Sequence, residues 1–151
     1  MIRNLERSDF RQVFELLTEF AGETGLTNLS QEENYDYDHI QRILLRCLSG
    51  GINYVAVDSD KIVGFIMSIR VPDIWTPRTI YLRELAWFVN EEYRGTSIGA
   101  RLFHQYKKSA EIIKNQGEIA GFTVSKMANS PDFDYEKRGF KFIESTYMIG
   151  D

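Results

Sequence analysis

The segment Val89-Asn90-Glu91-Glu92-Tyr93-Arg94-Gly95-Thr96-Ser97-Ile98-Gly99-Ala100-Arg101-Leu102 joins an apolar run to an amphipathic one through a short polar turn. The pattern reads as strand, loop and helix. The first N–H groups of a helix lack partners within it, and the helix dipole adds partial positive charge, so such a junction can hold an anion. Gly95 and Gly99 carry no side chain to block a phosphate, and Arg94 could add a charge-assisted contact. The chemistry implied is binding of a phosphate-bearing ligand. The same glycines would equally serve a plain turn at Gly95 and close packing on a sheet at Gly99. A Walker A loop needs four residues between its glycines, followed by Gly-Lys-Ser/Thr; here three separate them and Ala100-Arg101 follow. The Gly-x-Gly-x-x-Gly spacing is also absent, which disfavours ATP and NAD as ligands.

A second candidate lies in Tyr81-Leu82-Arg83-Glu84-Leu85-Ala86-Trp87-Phe88. Strand alternation predicts Arg83, Leu85 and Trp87 on one face and Leu82, Glu84, Ala86 and Phe88 on the other. A carboxylate among apolar neighbours needs a partner or a task. A salt bridge to Arg70 or Arg3 would be the partner; acid–base chemistry would be the task. Cys47 falls on an apolar helical stripe and reads as core. His39 and His104 read as surface positions on helices. One cysteine and two histidines exclude an internal disulfide and argue against a metal centre.

These residues must be positioned by a sheet and its covering helices. Ile2–Leu5 suggests a short strand, and Ser8 could cap a helix with a stripe of Phe10, Val13, Phe14, Leu17 and Ala21. Gly22 and Gly25 end it. A polar, acidic loop over 23–38 carries Glu23, Glu32, Glu33, Asp36 and Asp38, with Tyr35 and Tyr37, and the sequon Asn28-Leu29-Ser30. A second helix starts near Asp38, with Gln41 as in a capping box. Strands follow at 53–57, 61–71 and 80–89, a long helix at 97–116 and a strand at 119–124. A short helix near 131–138 and a last strand within 140–149 complete the chain. Strand 80–89, the long helix and strand 119–124 form a βαβ unit, so those strands are parallel and the crossover right-handed. The fold class is α/β (α+β), with helices on both faces of a mixed sheet.

The chain has 151 residues, enough for one domain over 1–151, with 43% hydrophobic and 26% charged residues. The net charge of −4 speaks against a nucleic-acid binder. No apolar run approaches a membrane span, and the N-terminus lacks a signal peptide's apolar core. The cytoplasm is the expected compartment.

Two motifs make the reading specific. Arg94-Gly95-Thr96-Ser97-Ile98-Gly99-Ala100 resembles the pyrophosphate loop of the GNAT superfamily of N-acetyltransferases, with Ser97 standing where the middle glycine is usual. Tyr135-Glu136-Lys137-Arg138-Gly139-Phe140 resembles the family's Tyr-Glu-Lys-x-Gly-Phe segment near the C-terminus. The resemblance covers essentially the whole chain. It implies a mostly antiparallel sheet with one parallel strand pair splayed apart, and acetyl-CoA as cosubstrate, with no metal. The amides of Arg94, Gly95, Thr96, Ser97, Ile98, Gly99 and Ala100 would hold the pyrophosphate. Phe88 and Val89 would pair with the pantetheine arm, and Asn129 would either contact that arm or cap the following helix. It further implies that Tyr135 protonates the departing thiolate and that Glu84 takes the amine's proton, directly or through water. At reference values the step from tyrosine to thiolate is uphill by about 2 kcal/mol. The implied acceptor is an amine of a small molecule or a peptide. The acidic, aromatic 23–38 loop, with Trp75 on the opposite loop, slightly favours a small cationic amine. A protein N-terminus or lysine, or a CoA-binding module without turnover, are the alternatives. The family often forms homodimers.

Overall fold

The computed structural model describes residues 1–26 and 31–150; the sequon Asn28-Leu29-Ser30 lies outside them. The elements are β1 (Ile2–Asn4), α1 (Phe10–Glu23), α2 (Tyr37–Gly50), β2 (Tyr54–Asp58), β3 (Lys61–Pro72), β4 (Ile80–Val89), α3 (Ile98–Asn115) and β5 (Gly121–Thr123). The sheet runs β1-β2-β3-β4-β5. All neighbours are antiparallel except β4 and β5, which pair in parallel from Tyr81↔Gly121 to Arg83↔Thr123. This is the mixed sheet with one parallel pair that the βαβ pattern requires.

The helix starts differ from expectation in their caps. A 3-10 turn at Arg7–Asp9 precedes α1, and a reciprocal capping box links Glu6 and Asp9, in place of Ser8. Asp9 also takes Arg3 through both carboxylate oxygens, at 2.7 and 2.8 Å. Asp36, not Asp38, caps α2, accepting the His39 N–H at 3.0 Å. β2 and β3 turn through Ser59 and Asp60, both at positive φ, the geometry of a type I′ hairpin that polar residues tolerate.

Between α2 and β2 the chain passes so close to β3 that a Cβ on Gly51 would lie 1.8 Å from the Ser68 carbonyl oxygen. Asn53 and Ser68 satisfy the buried backbone there. Asn53 donates to the Cys47 carbonyl and accepts the Ser68 N–H, each at 2.8 Å. Ser68 Oγ in turn donates to the Ile52 carbonyl at 2.7 Å.

Two cores flank the sheet. On one face Phe10, Val13 and Leu16 of α1 and Leu44 and Cys47 of α2 pack on Val55, Phe65, Ala86 and Phe88. On the other, Leu102, Phe103, Tyr106 and Ala110 of α3 pack on Ala56, Val63, Ile66 and Leu82. Cys47 is wholly buried, whereas His39 and His104 are exposed.

The expected alternation along β4 is broken. Met67 pairs Ala86 and Ser68 pairs Glu84, so Leu85 is an extra residue, a β-bulge. Because the side-chain period is two, one extra residue moves the rest of the strand to the opposite face. Leu82 therefore faces α3, while Ala86 and Phe88 face α1 and α2. The four residues assigned to one face are divided between two.

The C-terminal part also departs from expectation. In place of a helix over 131–138 there is a 3-10 turn at Glu136–Arg138, where the Asp134 carboxylate accepts the Lys137 N–H. No strand forms over 140–149 among the described residues. Of the large apolar residues there, Phe140 packs on Phe103 and Phe122, whereas Phe142, Ile143, Tyr147, Met148 and Ile149 are exposed.

Candidate active site

The candidate residues gather where β4 and β5 part. β4 continues to Val89, but its pairing with β5 ends at Arg83↔Thr123. Beyond that point β4 has no strand beside it on the β5 side among the described residues, so a fork opens from Glu84 onward. The bulge at Leu85 sits at the same place.

Glu84 occupies the crotch of this fork and is 6% exposed. Neither Arg3 nor Arg70 is its partner. Arg3 is bound to Asp9, and Arg70 to Glu118 and the Gly50 carbonyl. One Glu84 oxygen instead accepts the Ser125 N–H at 3.0 Å. Burial pushes its carboxyl up to about 7, opposed by that hydrogen bond and by the charge of Arg83. A carboxyl poised there can take a proton near neutral pH.

Two tyrosines feel the Glu84 charge. Tyr135 sits just before the 3-10 turn, its ring against Phe133, Phe103 and Phe140. Burial, with the nearby Glu84, raises its hydroxyl to about 12, so it is protonated at any working pH. Tyr106 of α3 is fully buried and donates to the Thr123 carbonyl at 3.1 Å. Burial and Glu84 push its hydroxyl far above the ordinary tyrosine range. Tyr106 and Ser125 were not candidates in the sequence. Tyr106 falls at helical spacing with Ile98, Leu102, Ala110 and Ile113, as one more residue of an apolar stripe, and a backbone N–H leaves no trace in residue type.

The β4–α3 loop follows the open edge. Asn90 caps a 3-10 turn at Glu91–Tyr93 by accepting the Glu92 N–H. Gly95 lies at φ +79°, where a side chain would be strained, and the space beside it is open. Thr96 Oγ1 donates to the Tyr93 carbonyl and accepts the Ile98 N–H. Ser97 precedes the first turn of α3, and its side chain makes no cap hydrogen bond. Gly99 faces Val89 and Trp87 at ordinary contact distance, and Ala100 begins the exposed side of the helix.

Arg94 does not extend into the open space. Its Nε donates to the Val89 carbonyl at 2.9 Å, and an Nη donates to both Glu23 oxygens at 2.7 and 2.9 Å. The guanidinium also lies over the Phe88 ring. Asn129 precedes no helix, which removes its reading as a cap; its amide donates to the Glu23 carbonyl at 3.4 Å. The last turn of α1, the loop and Asn129 are thus tied together.

The Trp87 ring lies tilted against Phe103 and edge-on to Phe133, and its indole N–H is buried without a hydrogen-bond acceptor among the described residues. The acceptor-side expectations fare unevenly. Tyr37 packs edge-on against Phe14 and under the Arg11 guanidinium, so its ring already serves a cation of this chain. Ile74 and Trp75, on the β3–β4 loop, are almost fully exposed. Among the described residues no cluster of three or more His, Cys, Asp or Glu is placed to hold a metal, and no helix is long and apolar enough to cross a membrane.

The fold has many solved counterparts. A possible acetyltransferase from Clostridium difficile 630 superposes with a TM-score of 0.70 at 21% identity, covering 100% of this chain and 96% of that one. A predicted acetyltransferase from Clostridium acetobutylicum, solved with acetyl-CoA, gives 0.72 at 13% identity over 99% and 95%. An aminoglycoside acetyltransferase from an uncultured soil metagenomic sample, in complex with sisomicin, gives 0.64 at 16% identity over 99% and 96%. No curated protein matches the chain. The model of the acetyltransferase (GNAT) domain, whose family uses acetyl-CoA, matches residues 27–148. With the forked parallel pair and the loop before α3, that match places the chain in the GNAT acetyltransferase family, as an acyltransferase.

Proposed function

We propose that this chain, acting as one domain over 1–151, moves the acetyl group of acetyl-CoA to a primary amine by direct transfer in a ternary complex. The observation that carries this reading is the buried Glu84 carboxylate at the crotch of the fork, bonded to the Ser125 N–H, with its carboxyl raised by burial to near neutrality and Tyr135 within its field.

Phosphates of the cosubstrate lie against the loop from Arg94 to Ala100, where Gly95 and Gly99 admit them; with the Arg94 and Ile98 N–H groups held by the Glu91 carbonyl and Thr96 Oγ1, the amides of Gly95, Thr96, Ser97, Gly99 and Ala100 carry the contact. The pantetheine arm runs beside the open edge of β4 at Phe88 and Val89, with Asn129 across the gap. Backbone N–H groups of that edge stabilise the oxyanion. Glu84, directly or through water, takes the proton as the amine attacks, and Tyr135 protonates the thiolate. With Tyr135 near 12 and a thiol near 8.5, this last step alone is uphill by about 5 kcal/mol. Protonation of Glu84 eases it. Once the carboxylate is neutral, the negative charge that raises Tyr135 is gone, so the acid strengthens as the thiolate departs. No covalent enzyme intermediate is needed, and much of the rate comes from positioning.

The preferred acceptor is a small cationic amine. The supports are the Glu19 carboxylate towards the end of α1, which accepts the neutral Asn90 amide while Glu23 is already neutralised by Arg94, and the aminoglycoside acetyltransferase among the structural neighbours. The exposed Ile74 and Trp75 favour a second reading, a protein N-terminus or lysine presented on a peptide. A single buried cysteine suits the reducing cytoplasm.

Thermal unfolding with acetyl-CoA, CoA, ATP and NAD at about 1 mM tests the cosubstrate. A ligand at 100 times its Kd adds ~2.7 kcal/mol to stability. A rise in Tm with acetyl-CoA and CoA alone, followed by acetyl transfer in an amine panel, is the expected outcome. No shift with either leaves only a fold without a working cosubstrate site.

A further inference from the structure

β5 leaves β4 at a defined place, and two side chains hold it there. Thr123 is its last residue paired to β4, and its carbonyl accepts the Tyr106 hydroxyl at 3.1 Å. Two residues on, the Ser125 N–H is held by the Glu84 carboxylate at 3.0 Å. Tyr106 comes from the middle of α3, is completely buried, and has its ring edge-on to Phe122, the residue before Thr123. Its hydroxyl is the one polar atom on a ring that packing alone would place equally well as phenylalanine. A buried hydroxyl is retained at a cost unless bonded, so its use on the carbonyl at the fork is specific.

We propose that Tyr106 is a positioning residue for acetyl transfer: its hydroxyl pins the Thr123 carbonyl and thereby holds the Ser125 N–H on the Glu84 carboxylate. This rests on the reading of Glu84 as the base. The groups around Glu84 are the Ser125 N–H from the segment after β5, Tyr106 from α3 and Tyr135 from the C-terminal segment, with Arg83, next to it on β4 and on the opposite face, acting through its charge. Of these, the Ser125 N–H favours the ionised form by a direct hydrogen bond, and it is the one whose place depends on Tyr106. Loosening it raises the carboxyl further and lets the base wander, so transfer slows while the cosubstrate loop, which ends at the start of α3 about two turns before Tyr106, is untouched.

The test is Tyr106→Phe, read in two independent ways. The amide signals of a chain of this size are resolvable by NMR, and the Ser125 signal reports ionisation of Glu84 without any turnover. In the parent protein it titrates near pH 7. In Tyr106→Phe the midpoint moves up by about half a pH unit and the amplitude shrinks, as the hydrogen bond weakens. In kinetics, kcat falls about tenfold, KM for acetyl-CoA stays within about twofold, and the acidic limb of the pH profile, where kcat rises with pH, moves up with the NMR midpoint. An unchanged or lowered Ser125 midpoint overturns the proposal, whatever the kinetics show. Loss of the pH limb in the parent enzyme's Glu84→Gln variant tests the base reading separately. Should Tyr106→Phe not fold, selective 19F labelling of Tyr106 in the parent protein serves instead. Its signal must shift with the same midpoint as the Ser125 amide, and a signal flat through that transition overturns the proposal.

Discussion

The Glu84 carboxylate accepts the Ser125 N–H at 3.0 Å, immediately beyond the last residue pair that joins β4 to β5. One buried side chain therefore marks where the parallel pair opens and, in the proposed function, is the acid–base group there. The two roles have the same origin. A carboxylate withdrawn from water is held at a neutral pKa, and the one N–H it receives is too few to bring it back to the ordinary range.

Activity follows Glu84. The unprotonated carboxylate takes the proton, so kcat rises with pH through about 7 and levels above it. Glu84→Gln keeps an oxygen for the Ser125 N–H but cannot accept a proton, and lowers kcat by about 10²–10⁴-fold with little change in KM for acetyl-CoA. A pH profile of both proteins checks this. A variant with full activity removes Glu84 from the reaction.

Stability depends on the same group with the opposite benefit. In the folded chain its pKa is raised above the unfolded value of about 4.5, so the folded state holds the proton more tightly. Stability conferred this way is complete below the unfolded pKa and is lost as pH rises through the folded one. By linkage the loss amounts to about 3 kcal/mol between pH 4.5 and 7. Glu84→Gln should flatten that decline and equal or exceed the parent protein at pH 8, as urea unfolding across this range will show.

Tyr135→Phe keeps the ring against Phe103, Phe133 and Phe140 and removes only the hydroxyl. It lowers kcat about 10²-fold while binding of acetyl-CoA, followed by calorimetry, stays the same. Equal loss of affinity would make the tyrosine a binding group rather than the acid.

Asp9 is 4% exposed and carries both the Arg3 fork and the Glu6 N–H. Asp9→Ala leaves those donors unsatisfied and should cost about 3 kcal/mol at pH 7. Arg3 holds the Asp9 carboxyl below the usual carboxylate range. That contribution is present above the unfolded pKa and disappears as pH falls through the lowered folded one. The difference between variant and parent in denaturant unfolding therefore narrows towards pH 3.

Gly51→Ala places a methyl carbon 1.8 Å from the Ser68 carbonyl oxygen, and backbone must move to admit it. Because Ser68 pairs Glu84 across the sheet, the shift reaches the fork. A loss of stability above about 3 kcal/mol is expected from overpacking against backbone, measured as a fall in Tm.

Residue types and spacing were enough for much of this chain. The bounds of β4, the stripes of α1, α2 and α3 and the parallel sense of the βαβ unit came from periodicity and connection length, because both are local or nearly so. The loop before α3 and the Tyr135 segment were legible as motifs, since each is a short run of residues with fixed order. Glu84 stood out because a charge in an apolar strand is an anomaly at the level of sequence. Its surroundings were decided by tertiary structure alone. The bulge at Leu85 depends on two strands meeting with one residue to spare, and it divided between two faces residues that simple alternation had joined. The Ser125 N–H and the Tyr106 hydroxyl reached their partners over 41 and 17 residues of chain. Arg94 was given to Glu23, 71 residues away, rather than left pointing into the loop. The segment 140–149 has the apolar content of a strand, yet of its large apolar residues only Phe140 is packed on the core. Periodicity reports which side of an element is apolar; only the packed fold determines which polar atom meets which.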